Sequence, residues 1–126
     1  MKISDFYTLC DEQLKTCREI LMQKNKEYST DDRLHTFKMA AVLQNISTRK
    51  AIIGMMDKHV VSIHSMCSGN EEYTLDIWEE KITDNINYLI LLRAVVSEEM
   101  QNQKSNIVIT DDNHVRDYMK KIEEEA

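Results

Sequence analysis

Apolar side chains recur along most of this chain at steps of three and four residues, the spacing that lines one face of a helix. Phe6, Cys10, Leu14, Cys17 and Leu21 form the first such stripe. Ser4 is placed to cap this helix, with Asp5 in its first turn. The stripe continues to Lys24 and Tyr28 before Ser29-Thr30-Asp31-Asp32 stops it. A second helix is expected over 32–44, turning Leu34, Phe37, Ala41 and Val42 inward. Asn45-Ile46-Ser47 breaks it, and Ser47 caps the next. The third helix, over 48–67, carries Ile52, Met56, His59, Ile63 and Met66 on its apolar face. Ser68-Gly69-Asn70 ends it, with Gly69 reading as a left-handed C-cap. Thr74 caps a fourth helix that reaches Gln103, and Tyr73 is set to pack on Trp78 as a hydrophobic staple.

The fourth helix organises the rest. From Tyr88 to Val96 only Arg93 is polar, and a helix apolar on nearly every side is normally a buried one. Upstream, Glu80, Asp84 and Asn87 stand at i, i+4 and i+7, on one face, and Leu91 continues their line. An acidic stripe therefore runs into an apolar one. A carboxylate there is expected to be paired, protonated or metal-bound, because an isolated buried charge costs too much. Beyond Gln103, residues 106–110 read as a short extended segment. Asp111 or Asp112 then caps a last helix with Val115, Met119 and Ile122 on one side.

Composition agrees with the pattern. The chain has 126 residues, no proline and two glycines, and only helices tolerate so little turn chemistry over that length. The expectation is an all-α fold: a helical bundle of four main helices plus a C-terminal helix. It should form one domain over 1–126, with its core at about 4–103. The apolar Tyr88–Val96 stretch asks for a covering partner, so a homodimer or higher homo-oligomer is expected. A net charge of −6 argues against a direct nucleic-acid surface but leaves room for nucleotides. Cys10, Cys17 and Cys67 have no ligand-like pairing and read as buried thiols of a reducing cytosol. No run approaches the ~20 apolar residues of a membrane span, and the N-terminus lacks a signal-peptide core. A cytoplasmic protein is expected.

The inward polar set is Lys24, Tyr28, His59, Glu80, Asp84 and Asn87, from three helices that a bundle can bring to one cleft. Lys58 stands beside His59, about 100° round the helix. Two carboxylates one turn apart can share Mg²⁺, which takes one or two carboxylates and completes its shell with water and phosphate. Lysine and histidine suit phosphate oxygens, and tyrosine and tryptophan offer faces to a base. This kit suits metal-assisted phosphoanhydride cleavage with water as the nucleophile. An E-x-x-x-D pair is also common on solvated faces, and a lone inward histidine is more often a core residue than a catalytic one. The chain lacks a glycine-rich phosphate loop, His-Glu-x-x-His and Cys-x-x-Cys.

KNKEYS (24–29), DKHVVSIHSM (57–66) and WEEKITDNINYLILL (78–92) resemble small phage proteins of the nucleotide-modification-associated domain type. Those read roughly K-x-x-x-Y, a mid-chain lysine followed by a basic residue, and D-x-x-N-Y-x-x-x-L. That group is similar to the MazG-like and all-α nucleotide pyrophosphohydrolases, helical bundles that typically dimerise. They use helix-borne acids to hold Mg²⁺ (or Mn²⁺) on a nucleoside triphosphate and release monophosphate and pyrophosphate. The resemblance implies that Glu80 and Asp84 are the catalytic, metal-holding acids. It implies that Lys24, Tyr28, Lys58, His59, Asn87 and Tyr88 contact substrate. A phage origin would place the protein in the cytoplasm of an infected bacterium.

The chain departs from the MazG-like pattern at three places. The late acids are spaced E-x-x-x-D rather than E-x-x-D, an early E-x-x-E is absent, and Ser29 follows Tyr28 where glycine is usual. A second reading therefore stands beside the enzyme: a helical phage protein that binds a nucleotide, or regulates a host protein, without turnover. In a third, the polar stripe is only an interhelical network.

Overall fold

The computed structural model describes residues 1–25 and 31–125, without the side chains of residues 25 and 105–118. Four helices follow in order: α1 (Ile3–Asn25), α2 (His35–Gln44), α3 (Thr48–Ser68) and α4 (Leu75–Glu125). The all-α expectation is met, and no strand occurs among the described residues. The chain divides into two compact units, Met1–Ala94 and Val95–Ala126. The first holds α1, α2, α3 and the start of α4. No helix among the described residues is long and apolar enough to cross a membrane.

Local chemistry sets most of the boundaries. Asp32 accepts the Leu34 backbone N–H at 3.0 Å through one carboxylate oxygen and the Lys38 ammonium at 2.7 Å through the other. This Asx-type turn orders the lead-in, so α2 begins at His35 rather than Asp32. Asn45 ends α2 in the left-handed region, φ 54°, which asparagine tolerates better than most residues. Ser47 caps α3, its hydroxyl accepting the Lys50 N–H at 3.2 Å. Gly69 closes α3 differently from expectation: its backbone is extended, φ −84°, and its N–H donates to the Ser65 carbonyl at 2.9 Å. A Cβ there would lie 3.0 Å from that same oxygen, so glycine serves a close approach and not a left-handed turn.

The core sits on α2, α3 and one side of α4. Helices α2 and α3 pack directly on one another. They bury Phe37, Ala41, Ala51, Ile52, Met56 and Met66, with Leu34 just ahead of α2. Val42, expected inward, is 71% exposed, because it lies one helical step past Ala41. On α1 the buried stripe is turned from the expected one. Cys17 is buried, whereas Phe6 and Leu14 are more than half exposed. Gln13 takes the inward place, donating to Thr83 Oγ1 at 2.9 Å and to Cys17 Sγ at 3.4 Å. Thr83 is 1% exposed, and the hydrogen bond is what makes its burial tolerable. Of the other cysteines, Cys10 is half-buried and Cys67 is exposed, so only Cys17 matches the buried-thiol expectation.

Two expectations for α4 are corrected. The segment 106–110 is not extended: α4 runs unbroken from Leu75 to Glu125. Its Ile-Val-Ile-Thr run has strand propensity but no partner strand, whereas a helix satisfies its backbone within itself. The Tyr88–Val96 stretch is also not buried all round. Leu91 and Val95 are buried, while Leu89 and Ile90 are 54% and 40% exposed.

Candidate functional site

A cleft of about 150 Å³ opens where the four helices of the first unit converge. Leu21, Phe37, Met55 and Leu91 supply its apolar lining. Its polar lining is Lys24 from α1, Arg33 and Thr36 from α2 and its lead-in, and Asp84, Asn87 and Tyr88 from α4. The α4 residues stand at i, i+3, i+4 and, with Leu91, i+7, so one helical face delivers them all.

Behind the cleft lining, His59 approaches Asp84 and Tyr88. His59 Nδ1 lies 3.7 Å from Asp84 Oδ2, both side chains being about four-fifths buried. The imidazole ring lies 4.8 Å from the Tyr88 ring at a 35° tilt. Burial holds the His59 pKa below the usual histidine value. The Asp84 carboxylate opposes that shift, and the ammonium groups of Lys58, Lys81 and Lys24 reinforce it. His59 is therefore a neutral imidazole at pH 7. Asn85 locks the two helices together behind it, its amide donating to the His59 carbonyl at 3.1 Å and to the Lys81 carbonyl at 2.8 Å.

Asn87 is buried, and its amide oxygen has no hydrogen-bond partner among the described residues. An acceptor in that state carries an unrecovered desolvation cost, on the order of 1–3 kcal/mol, which a donor or a cation from the cleft would relieve. Such orphaned groups are rare in folded proteins and call for an explanation.

The structure thus brings together Lys24, His59, Asp84, Asn87 and Tyr88. Lys58 is exposed beside His59 and reaches it electrostatically. Glu80, one turn before Asp84, is exposed and does not line the cleft. Tyr28 lies outside the described residues. Arg33, Thr36 and Met55 are cleft residues that the sequence pattern did not single out, and Arg33 is the charged one. It stands in the turn just ahead of α2, which sets it on the cleft wall near Thr36 and Phe37.

A chain of net charge −6 thus presents Lys24 and Arg33 here, with Asp84 the one carboxylate among the described lining residues. The two cationic side chains suit an anion. The volume is room for about five water molecules at roughly 30 Å³ each, below the roughly 300–1,000 Å³ of most small-molecule sites. It fits a phosphate group or two and leaves a base and sugar outside.

Among the described residues no group of three or more His, Cys, Asp or Glu side chains stands close enough to hold a metal ion. The donors that do converge, the Asp84 carboxylate and the unpartnered Asn87 oxygen, are hard oxygen ligands. They fit a Mg²⁺ that draws most of its shell from water and phosphate, and they do not fit a fully protein-ligated ion. No protein-family model, no curated protein and no solved structure matches this chain.

Proposed function

We propose that the cleft binds the phosphates of a nucleoside triphosphate and that the chain is a Mg²⁺-dependent pyrophosphohydrolase-like protein of nucleotide metabolism or modification. The observation that carries this reading is the convergence of two cations, one carboxylate and a buried unpartnered amide oxygen in a single phosphate-sized cleft.

Lys24 and Arg33 hold the phosphate oxygens, the guanidinium in two-pronged fashion and the ammonium as a point charge. Asp84 and Asn87 would hold Mg²⁺ (or Mn²⁺), and Glu80, exposed one turn before Asp84 and outside the cleft lining, would act on it only at a distance. A metal held there would offset phosphate charge and activate the attacking water. Neutral His59, steadied by Asp84 and Tyr88, is free to take the proton of the attacking water. Water oxygen bonds to the α-phosphorus, the α–β bridging bond breaks, and monophosphate and pyrophosphate leave. Calorimetric titration with a nucleoside triphosphate tests the assignment. Binding should need Mg²⁺ and should weaken in Arg33→Ala and Lys24→Ala. Metal-independent binding indifferent to both substitutions would place the ligand elsewhere.

That Asp84 is the one carboxylate among the described lining residues favours a second reading, a nucleotide-binding protein without turnover. It shares the titration result and differs in giving no product. With either reading we propose a homodimer through the outer face of α3, where Ile53, Val60 and Val61 are each more than 40% exposed.

A further inference from the structure

A second, larger cleft of about 420 Å³ lies between the first halves of α1 and of α4's first-unit segment, and it shares no residue with the phosphate-sized one. Its two walls have matched spacing. On α1 the lining residues stand at 9, 12, 13 and 16; on α4 they stand at 75, 78, 79 and 82, with Thr83 beside them at the floor. Each set is i, i+3, i+4 and i+7, the stripe a helix presents to a neighbouring helix. The two stripes do not close on each other. They meet only at the floor, through the Gln13–Thr83 hydrogen bond, and Leu9, Leu75 and Ile82 stay 47%, 71% and 40% exposed. Trp78 forms part of the apolar wall, with the Tyr73 ring edge-on to it at 6.0 Å.

The rim fixes the kind of occupant. Among the described residues Glu12 and Glu79 are the only charged side chains lining this cleft, one from each wall, and both are exposed. A second copy docking its own groove here would set four carboxylates face to face, which like-charge repulsion opposes. From the matched stripes and this acidic rim we infer that the groove receives an amphipathic helix of another protein. That helix places apolar residues on Leu9, Trp78 and Ile82 and lysine or arginine on Glu12 and Glu79. This is helix-in-groove recognition, with charge selecting the partner.

Trp78 is the chain's one tryptophan and so reports on the groove directly. The experiment titrates the intact chain with a synthetic 14-residue leucine/lysine helix and, separately, with its leucine/glutamate counterpart, following Trp78 emission. The basic peptide should give a saturable blue shift and the acidic one none. Glu12→Lys with Glu79→Lys should weaken binding by about tenfold, the scale of two exposed ion pairs. The same reversal at Glu123 and Glu124 should leave binding unchanged. Both pairs are exposed, so folding is not at risk. Equal response to both peptides, or equal loss from both charge-reversed pairs, would overturn the assignment. Trp78 emission that shifts with the chain's own concentration would also overturn it, giving the groove to a second copy.

Discussion

His59 Nδ1 faces Asp84 Oδ2 at 3.7 Å, too far for a direct hydrogen bond and close enough for each group to feel the other's charge. Burial wins over the carboxylate, and the imidazole stays neutral at pH 7. The pair is thus an uncharged base next to a fixed anion, rather than an ion pair that stabilises the fold.

A pH dependence follows with a definite sign. The folded chain protonates His59 below the ordinary value of 6.5, so the unfolded chain takes up its proton first as pH falls. The stability associated with the neutral imidazole is complete above pH 6.5 and declines below it, until the folded imidazole also protonates. Thermal melts of the parent and His59→Gln at pH values from about 7.5 down to 5 should show the parent losing more of its stability. A stability difference between the two that stays flat, or widens in the parent's favour on acidification, would contradict the assigned shift.

Asn87 should separate stability from function. Its unpartnered oxygen is a cost to the fold, so Asn87→Leu should leave the melting temperature unchanged or raise it, by up to about 1 kcal/mol of stability. The same substitution should abolish nucleotide binding. A destabilised variant would show that the amide serves the fold instead.

Gly54 stands within α3, and a Cβ built there meets nothing within 4 Å. Glycine inside a helix is about 1 kcal/mol worse than alanine. Gly54→Ala should therefore raise the stability of the chain by roughly that amount, measured by urea unfolding. If the variant is unchanged in stability but loses self-association, the gap at Gly54 belongs to the proposed α3 interface.

Ser47 offers a local test of capping. Its hydroxyl holds the Lys50 N–H at the start of α3, and Ser47→Ala should cost about 1 kcal/mol. A loss below a few tenths would mean that core packing, not the cap, fixes where α3 begins.

What was legible in the chain depended on whether the signal was local. The Ser47 cap, the break at Asn45 and the inward face through Ile52, Met56 and Met66 follow from short-range chemistry and periodicity, and they are present. The α4 stripe located Asp84 and Asn87 in the cleft for the same reason. The errors were tertiary. Helix α1 is rotated because Gln13 has a partner on α4 seventy residues away, which no local pattern reveals. Glu80 shares a line with Asp84 yet stays exposed, because periodicity tells which residues align and not how far along the helix its neighbours reach. Arg33 fell at the start of a helix expected from Asp32, whose inward face was read only from its apolar residues. Leu89 and Ile90 are apolar and exposed, since an all-round apolar helix needs neighbours on every side and the described chain supplies only some.

The central claim is that the cleft at Asp84 processes nucleoside triphosphates, and product analysis tests it most directly. The purified chain is incubated with a panel of canonical and modified nucleoside triphosphates, with Mg²⁺ or Mn²⁺, and the products are separated by chromatography. The account predicts monophosphate and pyrophosphate from at least one substrate. The loss should be at least about a hundredfold in Asp84→Asn, and smaller in the exposed Glu80→Gln. Turnover that survives Asp84→Asn unchanged would contradict the site. No product from any substrate would contradict the enzyme and leave the nucleotide-binding reading to the calorimetric titration.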